Sequence, residues 1–274
     1  MTRVWFITGC SRGLGLSIAE AALNAGDSVI ATARKPEQLA HLTEKYGRES
    51  VFALALDVSN NDQVIQAVKA GHERFGQIDI VVNNAGYANT VAVEDMDIDD
   101  FRAQVDANLF GVIYVSKAVL PILRQQGSGH IFQVSSVGGR LGVPGLSAYQ
   151  CSKWAVGGFS TVLAQEVAPL GIKVTVLEPG GMKTDWAGSS MQIPPVSKPY
   201  ESTVGPMADM RRKNLGSEPS IPSKVADIIV KLSNEKEPPL RFLIGPDAVE
   251  HAAKAANVLA ASDAKWRALS VSST

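Results

Sequence analysis

The chain has 274 residues, 45% of them hydrophobic and 19% charged, a balance that excludes disordered and fibrous classes and suits one large α/β domain or two small ones. Lys and Arg number 26 against 27 Asp and Glu, for a net charge of −1, so there is no global field to hold nucleic acid or an anionic membrane. Two cysteines, Cys10 and Cys151, exclude a disulfide framework. With no signal peptide and no apolar run near the ~20 residues of a membrane span, the expectation is a cytoplasmic protein.

Val4–Thr8 reads as a first strand that enters the turn Thr8-Gly9-Cys10-Ser11-Arg12-Gly13-Leu14-Gly15 and a helix over 13–25. Ser28–Ala33 is the second strand, with helical period over 36–46. Val51–Leu56 is the third, followed by 60–75, and Ile78–Val82 the fourth, followed by 99–125. Ile131–Ser135, 148–168, Lys173–Leu177, 222–233 and Leu240–Ile244 continue the rhythm. These strands are near-continuous apolar runs, as parallel strands covered on both faces require. The alternation predicts βαβ units, and hence an α/β fold. Its sheet would be a doubly wound parallel β-sheet, Rossmann-like, of about seven strands, in a single domain over 1–274. One segment breaks the rhythm. About 186–221 carries five prolines with Met191, Met207 and Met210, and is expected to be a lid insertion. A helical C-terminal tail is expected over about 247–274, fraying at its last serines.

The glycine turn lies between a strand and a helix start, where unpaired N–H groups and the positive end of the helix dipole make an anion seat. Gly9, Ser11, Arg12, Gly13, Leu14 and Gly15 are therefore read as the seat of a pyrophosphate. Dinucleotide folds commonly place an acid at the end of the second strand for the ribose 2′-hydroxyl. Here Ala31-Thr32-Ala33-Arg34-Lys35 offers none. Arg34 and Arg12 can instead pair with a 2′-phosphate, which points to NADP(H).

Tyr149 and Lys153 stand four apart, on one helical face. Ser147 and Gln150 read as a capping box that starts this helix just before Tyr149. A phenol is a poor acid–base group at neutral pH unless a cation favours the phenolate, and Lys153 supplies one. At the end of the fifth strand Ser136, or its neighbour Ser135, can hydrogen-bond a carbonyl oxygen. With Asn83-Asn84-Ala85-Gly86 after the fourth strand, these motifs resemble the short-chain dehydrogenase/reductase family in its single-domain subgroup. The resemblance covers roughly residues 3–185, and more loosely 222–245.

The resemblance implies that Tyr149 is the general acid/base and that Ser136, at the family's spacing from it, is the partner serine. It implies that Lys153 also grips the nicotinamide ribose and that Asn108 holds a relay water. It further implies cofactor contacts from Asp57 and Val58 at the adenine, and from Asn84, Ala85 and Gly86 beside the adenosine ribose. Pro179, Gly180, Met182 and Thr184 are implied at the nicotinamide carboxamide. Gly181 and Met182 depart from the residues usual there, which leaves the shape of the pocket open.

The four histidines have no ligand-like spacing, so no metal is expected, and the cysteines read as packing residues. The pocket walls are expected from Tyr87–Val93, Val137–Leu146 and the lid to about Leu215. They include Val143, Leu146, Trp186, Met191, Met207 and Met210, which suits a hydrophobic ketone or aldehyde. The leading expectation is an NADP(H)-dependent oxidoreductase that reduces such a carbonyl to the alcohol, reversibly. Alternatives are a catalytically silent NADP(H)-binding regulatory protein and an epimerase or dehydratase of the family's longer branch. The complete Tyr149, Lys153 and Ser136 set argues against the first, and the missing substrate domain against the second. Expected partners are the small molecule and, by resemblance, further copies in a homo-dimer or homo-tetramer. No nucleic acid or membrane is expected.

Overall fold

All four side chains of β1 (Val4–Ile7) are buried, and they divide by the two-residue period of a strand. Trp5 and Ile7 join the apolar core on one face of the sheet, Val4 and Phe6 the core on the other. In β2 (Ser28–Ala33), Val29 and Ala31 take the first face and Ile30 the second. This double burial is why the strands show as unbroken apolar runs. With β3 (Val51–Ala55), β4 (Ile80–Asn83), β5 (Gly129–Val134), β6 (Ile172–Pro179) and β7 (Arg241–Ile244) they form one parallel sheet, in the order β3-β2-β1-β4-β5-β6-β7. The computed structural model describes residues 2–184, 186, 191–213 and 216–273.

Helices cover both faces, as a doubly wound sheet requires. α1 (Gly13–Asn24), α2 (Ala40–Tyr46) and α8 (Pro222–Ser233) bury Ile18, Leu42, Val225 and Ile229 on the first face. α3 (Asn61–Phe75), α5 (Gly111–Gln126) and α6 (Ser147–Val167) bury Val64, Val68, Val115, Val119 and Leu163 on the second. The chain winds from β1 to β2 in one direction and resumes at β4 in the other. A crevice therefore opens beyond the C-terminal ends of β1 and β4.

Four features differ from the sequence expectations. The predicted helix over 99–125 is α4 (Ile98–Val105) joined to α5 through a π-helical turn, Asp106–Phe110. The joined rod Ile98–Gln126 is long and apolar enough to match a membrane span, where the sequence was expected to hold no such stretch. Its buried Val115, Val119 and Leu123 pack one side of it into the core on the second face of the sheet. The lid segment contains a further helix, α7 (Val204–Lys213). Its Pro206 lies in the first turn, where a missing N–H breaks no helical hydrogen bond. Finally, the capping box fails. Gln150 Oε1 accepts from the Val143 N–H at 2.7 Å, and among the described residues no side chain caps α6 and the buried Ser147 Oγ has no partner.

The parts of the expected lid at 187–190 and 214–215 lie outside the described residues. The expected tail is α9 (Pro246–Ser270), which buries only Ala248 and Ala252 and leaves Val258, Leu259 and Trp266 exposed.

Candidate active site

The ends of β1 and β4 are laced together by Thr8 and Asn84. Thr8 Oγ1 accepts from the backbone N–H groups of Asn84 and Ala85 at 2.9 and 3.0 Å. The Asn84 amide donates to the Thr8 and Gly9 carbonyls at 2.9 and 3.1 Å. Asn84 is thus a clamp within the crevice wall, a use the resemblance did not imply. The Cys10 N–H donates to the Thr32 carbonyl at 2.8 Å, which fixes the glycine turn beside the end of β2.

Two glycines in the turn are required by geometry. Gly9 has φ +73, a left-handed conformation that favours glycine. A Cβ on Gly15 would lie 2.2 Å from the Gly9 oxygen and 2.5 Å from the Asn84 amide nitrogen. α1 can begin this close to the strand only because no side chain intervenes there. Among the described residues no side chain caps α1, so its first turn can present N–H groups to an anion. The cradle fits the pyrophosphate of a dinucleotide. Arg12 and Arg34 are exposed at the same edge, on the turn and directly after β2.

The third and fourth strands add further implied contacts. Asp57 Oδ1 accepts from the Ser59 N–H and hydroxyl at 3.0 and 2.7 Å, which holds its carboxylate in a local turn. The Val58 side chain packs under Gly111 in the core, so a ligand could meet only its backbone. Gly86 lies against Asn108 and Lys153: a Cβ there would be 2.6 Å from Asn108 Oδ1 and 3.7 Å from Lys153 Nζ.

Asn108 sits fully buried in the π-helical turn. Its Oδ1 accepts from the Tyr87 N–H at 3.0 Å, and its Nδ2 donates to the Tyr87 carbonyl at 2.8 Å. The π turn shifts one helical hydrogen bond, a feature frequent at functional sites.

Tyr149 and Lys153 do share one face of α6. Lys153 Nζ lies 5.5 Å from the Tyr149 ring centroid and donates to the Val134 carbonyl at 2.7 Å. Ser135 and Ser136 separate here. The Ser135 hydroxyl donates to the Lys153 carbonyl at 3.2 Å, which takes it out of the crevice. Ser136 Oγ accepts from the Gly138 N–H at 3.0 Å and lies near enough to the Tyr149 phenol to favour its ionised form.

Burial pushes the Tyr149 phenol up to about 12, opposed by Ser136 and by the charge of Arg211. Burial also pulls Lys153 down to about 8. Desolvation is the largest influence on the phenol and holds it above its ordinary value.

The family model described as short chain dehydrogenase matches residues 3–193. The chain belongs to the short-chain dehydrogenase family. It is 74% identical over 273 residues to "Oxidoreductase BOA17" of Botryotinia fuckeliana, covering 100% of both chains. A solved short-chain dehydrogenase from Streptomyces avermitilis superposes with a TM-score of 0.94 at 34% identity, over 100% of this chain and 98% of that one. An alcohol dehydrogenase from the archaeon Thermococcus sibiricus, complexed with 5-hydroxy-NADP, has a TM-score of 0.73 at 27% identity. That match covers 89% of this chain and 96% of the archaeal one.

In this short-chain dehydrogenase the segment after β6 faces the glycine turn, since a Cβ on Gly13 would lie 3.5 Å from the Thr184 side chain. Thr184 Oγ1 accepts from the Trp186 N–H at 3.3 Å. Sequence reasoning missed Asp247 in the first turn of α9, whose Oδ2 accepts from the Gly181 N–H at 2.7 Å. It also missed Glu178, a buried carboxylate on β6 that pairs with Arg140 at 2.5 Å and Arg241 at 3.1 Å. Arg140 closes the short 3₁₀ turn that Ser136 opens, so Glu178 ties the serine's loop to the sheet. Both contacts join residues far apart in sequence and leave no local signal.

The Tyr149 ring is walled by Ala88, Leu146 and Met191, with Val143, Trp186 and Ile193 packed alongside. The Trp186 ring lies 5.0 Å from it, centroid to centroid. Hydrogen bonds Thr90 N–H to Gln192 O and Val91 N–H to Gly145 O, both 2.9 Å, stitch the three wall segments together. Met210, expected in the wall, is instead 44% exposed. Among the described residues no group of three or more His, Cys, Asp or Glu side chains could hold a metal.

Proposed function

We propose that this short-chain dehydrogenase reduces a hydrophobic ketone or aldehyde to the alcohol with NADPH, reversibly. The convergence of Tyr149, Ser136 and Lys153 beside the crevice carries the reading, because a molecule that only bound a nucleotide needs no proton donor there. When bound, NADPH supplies a hydride to the carbonyl carbon. Ser136, its Oγ oriented by the Gly138 N–H, donates a hydrogen bond to the carbonyl oxygen as negative charge develops. Tyr149 then hands its proton to that oxygen. A phenol raised to about 12 is fully protonated at neutral pH, and an alkoxide is a far stronger base than a phenolate, so the transfer runs downhill.

Lys153 is fixed by the Val134 carbonyl, which leaves two N–H donors for the cofactor ribose and for restoring the tyrosine's proton. Asn108 spends its amide on the Tyr87 backbone. Its part in a relay would therefore fall to a backbone carbonyl loosened by the π turn. Preference for the 2′-phosphate is supported by Arg34 directly after β2, by Arg12 on the glycine turn, and by the absence of an acid at the end of β2. The NADP-type molecule in the archaeal alcohol dehydrogenase agrees with it. The apolar wall around Tyr149 supports a hydrophobic substrate. Exposed Phe110, Trp154 and Val162, on the rod 98–126 and on α6, support association of copies through those helices.

The test is oxidation of NADPH and NADH, followed by absorbance, across ketones of graded bulk. Turnover with NADPH that favours bulkier apolar ketones is expected. Tight NADPH binding with no turnover of any carbonyl would leave the silent binder instead.

A further inference from the structure

One charged side chain of the lid has a buried Nε with no acceptor among the described residues. Val204 and Ala208, four residues apart, are the buried residues of α7, and Arg211 continues the same helical face one turn on. Val204 packs toward the active-site loop, where a Cβ on Gly145 would lie 3.1 Å from its Cγ1. The Nε of Arg211 is closed off from solvent and has no hydrogen-bond partner among the described residues. Its neighbour Arg212, by contrast, pairs with Asp209 at 3.2 Å and donates to the Ile193 carbonyl at 3.1 Å. The charge of Arg211 is felt at the Tyr149 phenol, which is neutral and cannot balance it. Closing the Nε–H of a guanidinium off from water with no acceptor is costly, and a wall serving only neutral ketones gains nothing from it. A planar fork of N–H donors matches a carboxylate.

We infer that Arg211 recognises a carboxylate on the substrate, so that the physiological substrate is a keto acid or aldehyde acid with an apolar body. This rests on the carbonyl-reductase reading and narrows it. The carbonyl carbon gains the hydride of NADPH and its oxygen gains the Tyr149 proton. The carboxylate is unchanged, and the products are a hydroxy acid and NADP⁺. The apolar body lies among Leu146, Met191 and Trp186, while Arg211 holds the acid end.

The experiment compares phenylglyoxylate, benzoylpropionate and benzoylbutyrate, each with its methyl ester, on the wild type, Arg211→Met and Arg211→Lys. For the acid of matching length, KM is expected to be about 10- to 100-fold below that of its ester, the range of a charge-assisted hydrogen bond. Arg211→Met should erase that difference by raising KM for the acid alone. Arg211→Lys should retain part of it. The thermal midpoint of Arg211→Met should not fall, because an unbalanced charge has been removed. Equal KM for acid and ester in the wild type, equal losses on both in Arg211→Met, or a marked fall in its midpoint would overturn the assignment. If no carbonyl is reduced at all, the reductase reading fails separately. Calorimetric binding of phenylbutyrate against its methyl ester then decides: an acid preference lost in Arg211→Met upholds the carboxylate site, and equal binding overturns it.

Discussion

Gly15→Ala places a methyl group where the fold has left no room for one. The new Cβ would sit 2.2 Å from the Gly9 oxygen and 2.5 Å from the Asn84 amide nitrogen, about an ångström inside ordinary contact. The Gly9 oxygen is backbone at the end of β1 and cannot swing aside as a side chain would. Relief requires α1 to back away from the strand or the Asn84 amide to leave its two carbonyl acceptors, 2.9 and 3.1 Å away. Two hydrogen bonds at ~1 kcal/mol each and overpacking of about 1–3 kcal/mol give a loss of about 3–5 kcal/mol. For a chain of this size that lowers Tm by roughly 10 °C. The displaced turn should also bind NADPH more weakly, by tenfold or more. Thermal denaturation and fluorescence titration of NADPH read the two effects. Gly205→Ala, in α7 with no described atom beyond its own stretch of helix within 4 Å of the new Cβ, is the control and should gain roughly 0.5 kcal/mol from helix propensity. A wild-type Tm and NADPH affinity in Gly15→Ala would refute the claim that this contact builds the phosphate cradle.

Arg34→Asp should move the kcat/KM ratio from NADPH toward NADH by at least tenfold, since it removes a phosphate partner and supplies a hydroxyl acceptor. An unchanged ratio would show that the 2′-phosphate is held elsewhere. The pH dependence follows from two opposite shifts. Tyr149, raised to about 12, keeps its proton across the accessible range, whereas Lys153, lowered from 10.5 to about 8, loses its charge above that point. Reductive kcat/KM should therefore be flat at neutral pH and fall above pH ~8. The buried charge of Lys153 costs stability below about pH 8, a cost that fades as pH rises toward 10.5. A profile flat to pH 10 would remove Lys153 from the proton path.

The sheet was legible because its central strands are buried on both faces and therefore read as continuous apolar runs, as in Val4–Ile7 and Ser28–Ala33. Tyr149 with Lys153, one turn apart on α6, and the glycine turn at the end of β1 were legible because each is a local pattern. α7 was hidden by Pro206, which reads as a breaker until its place in the first turn is known. The π turn at Asp106–Phe110 left no signal in the periodicity, and the Ser147 and Gln150 pattern matched a cap that Gln150 does not make. Glu178, Asp247 and Arg211 escaped for another reason. Each acts through partners 30 or more residues away in the chain, which no local spacing marks out.

The central claim is that the Tyr149 hydroxyl gives its proton to the substrate oxygen. It is tested most directly by Tyr149→Phe, with the absorbance of bound NADPH followed in a single turnover on the ketone the wild type reduces fastest. The account predicts NADPH affinity close to wild type and a reduction step slower by ~100-fold or more, the scale of losing a general acid. A variant that reduced the ketone at the wild-type rate would contradict it.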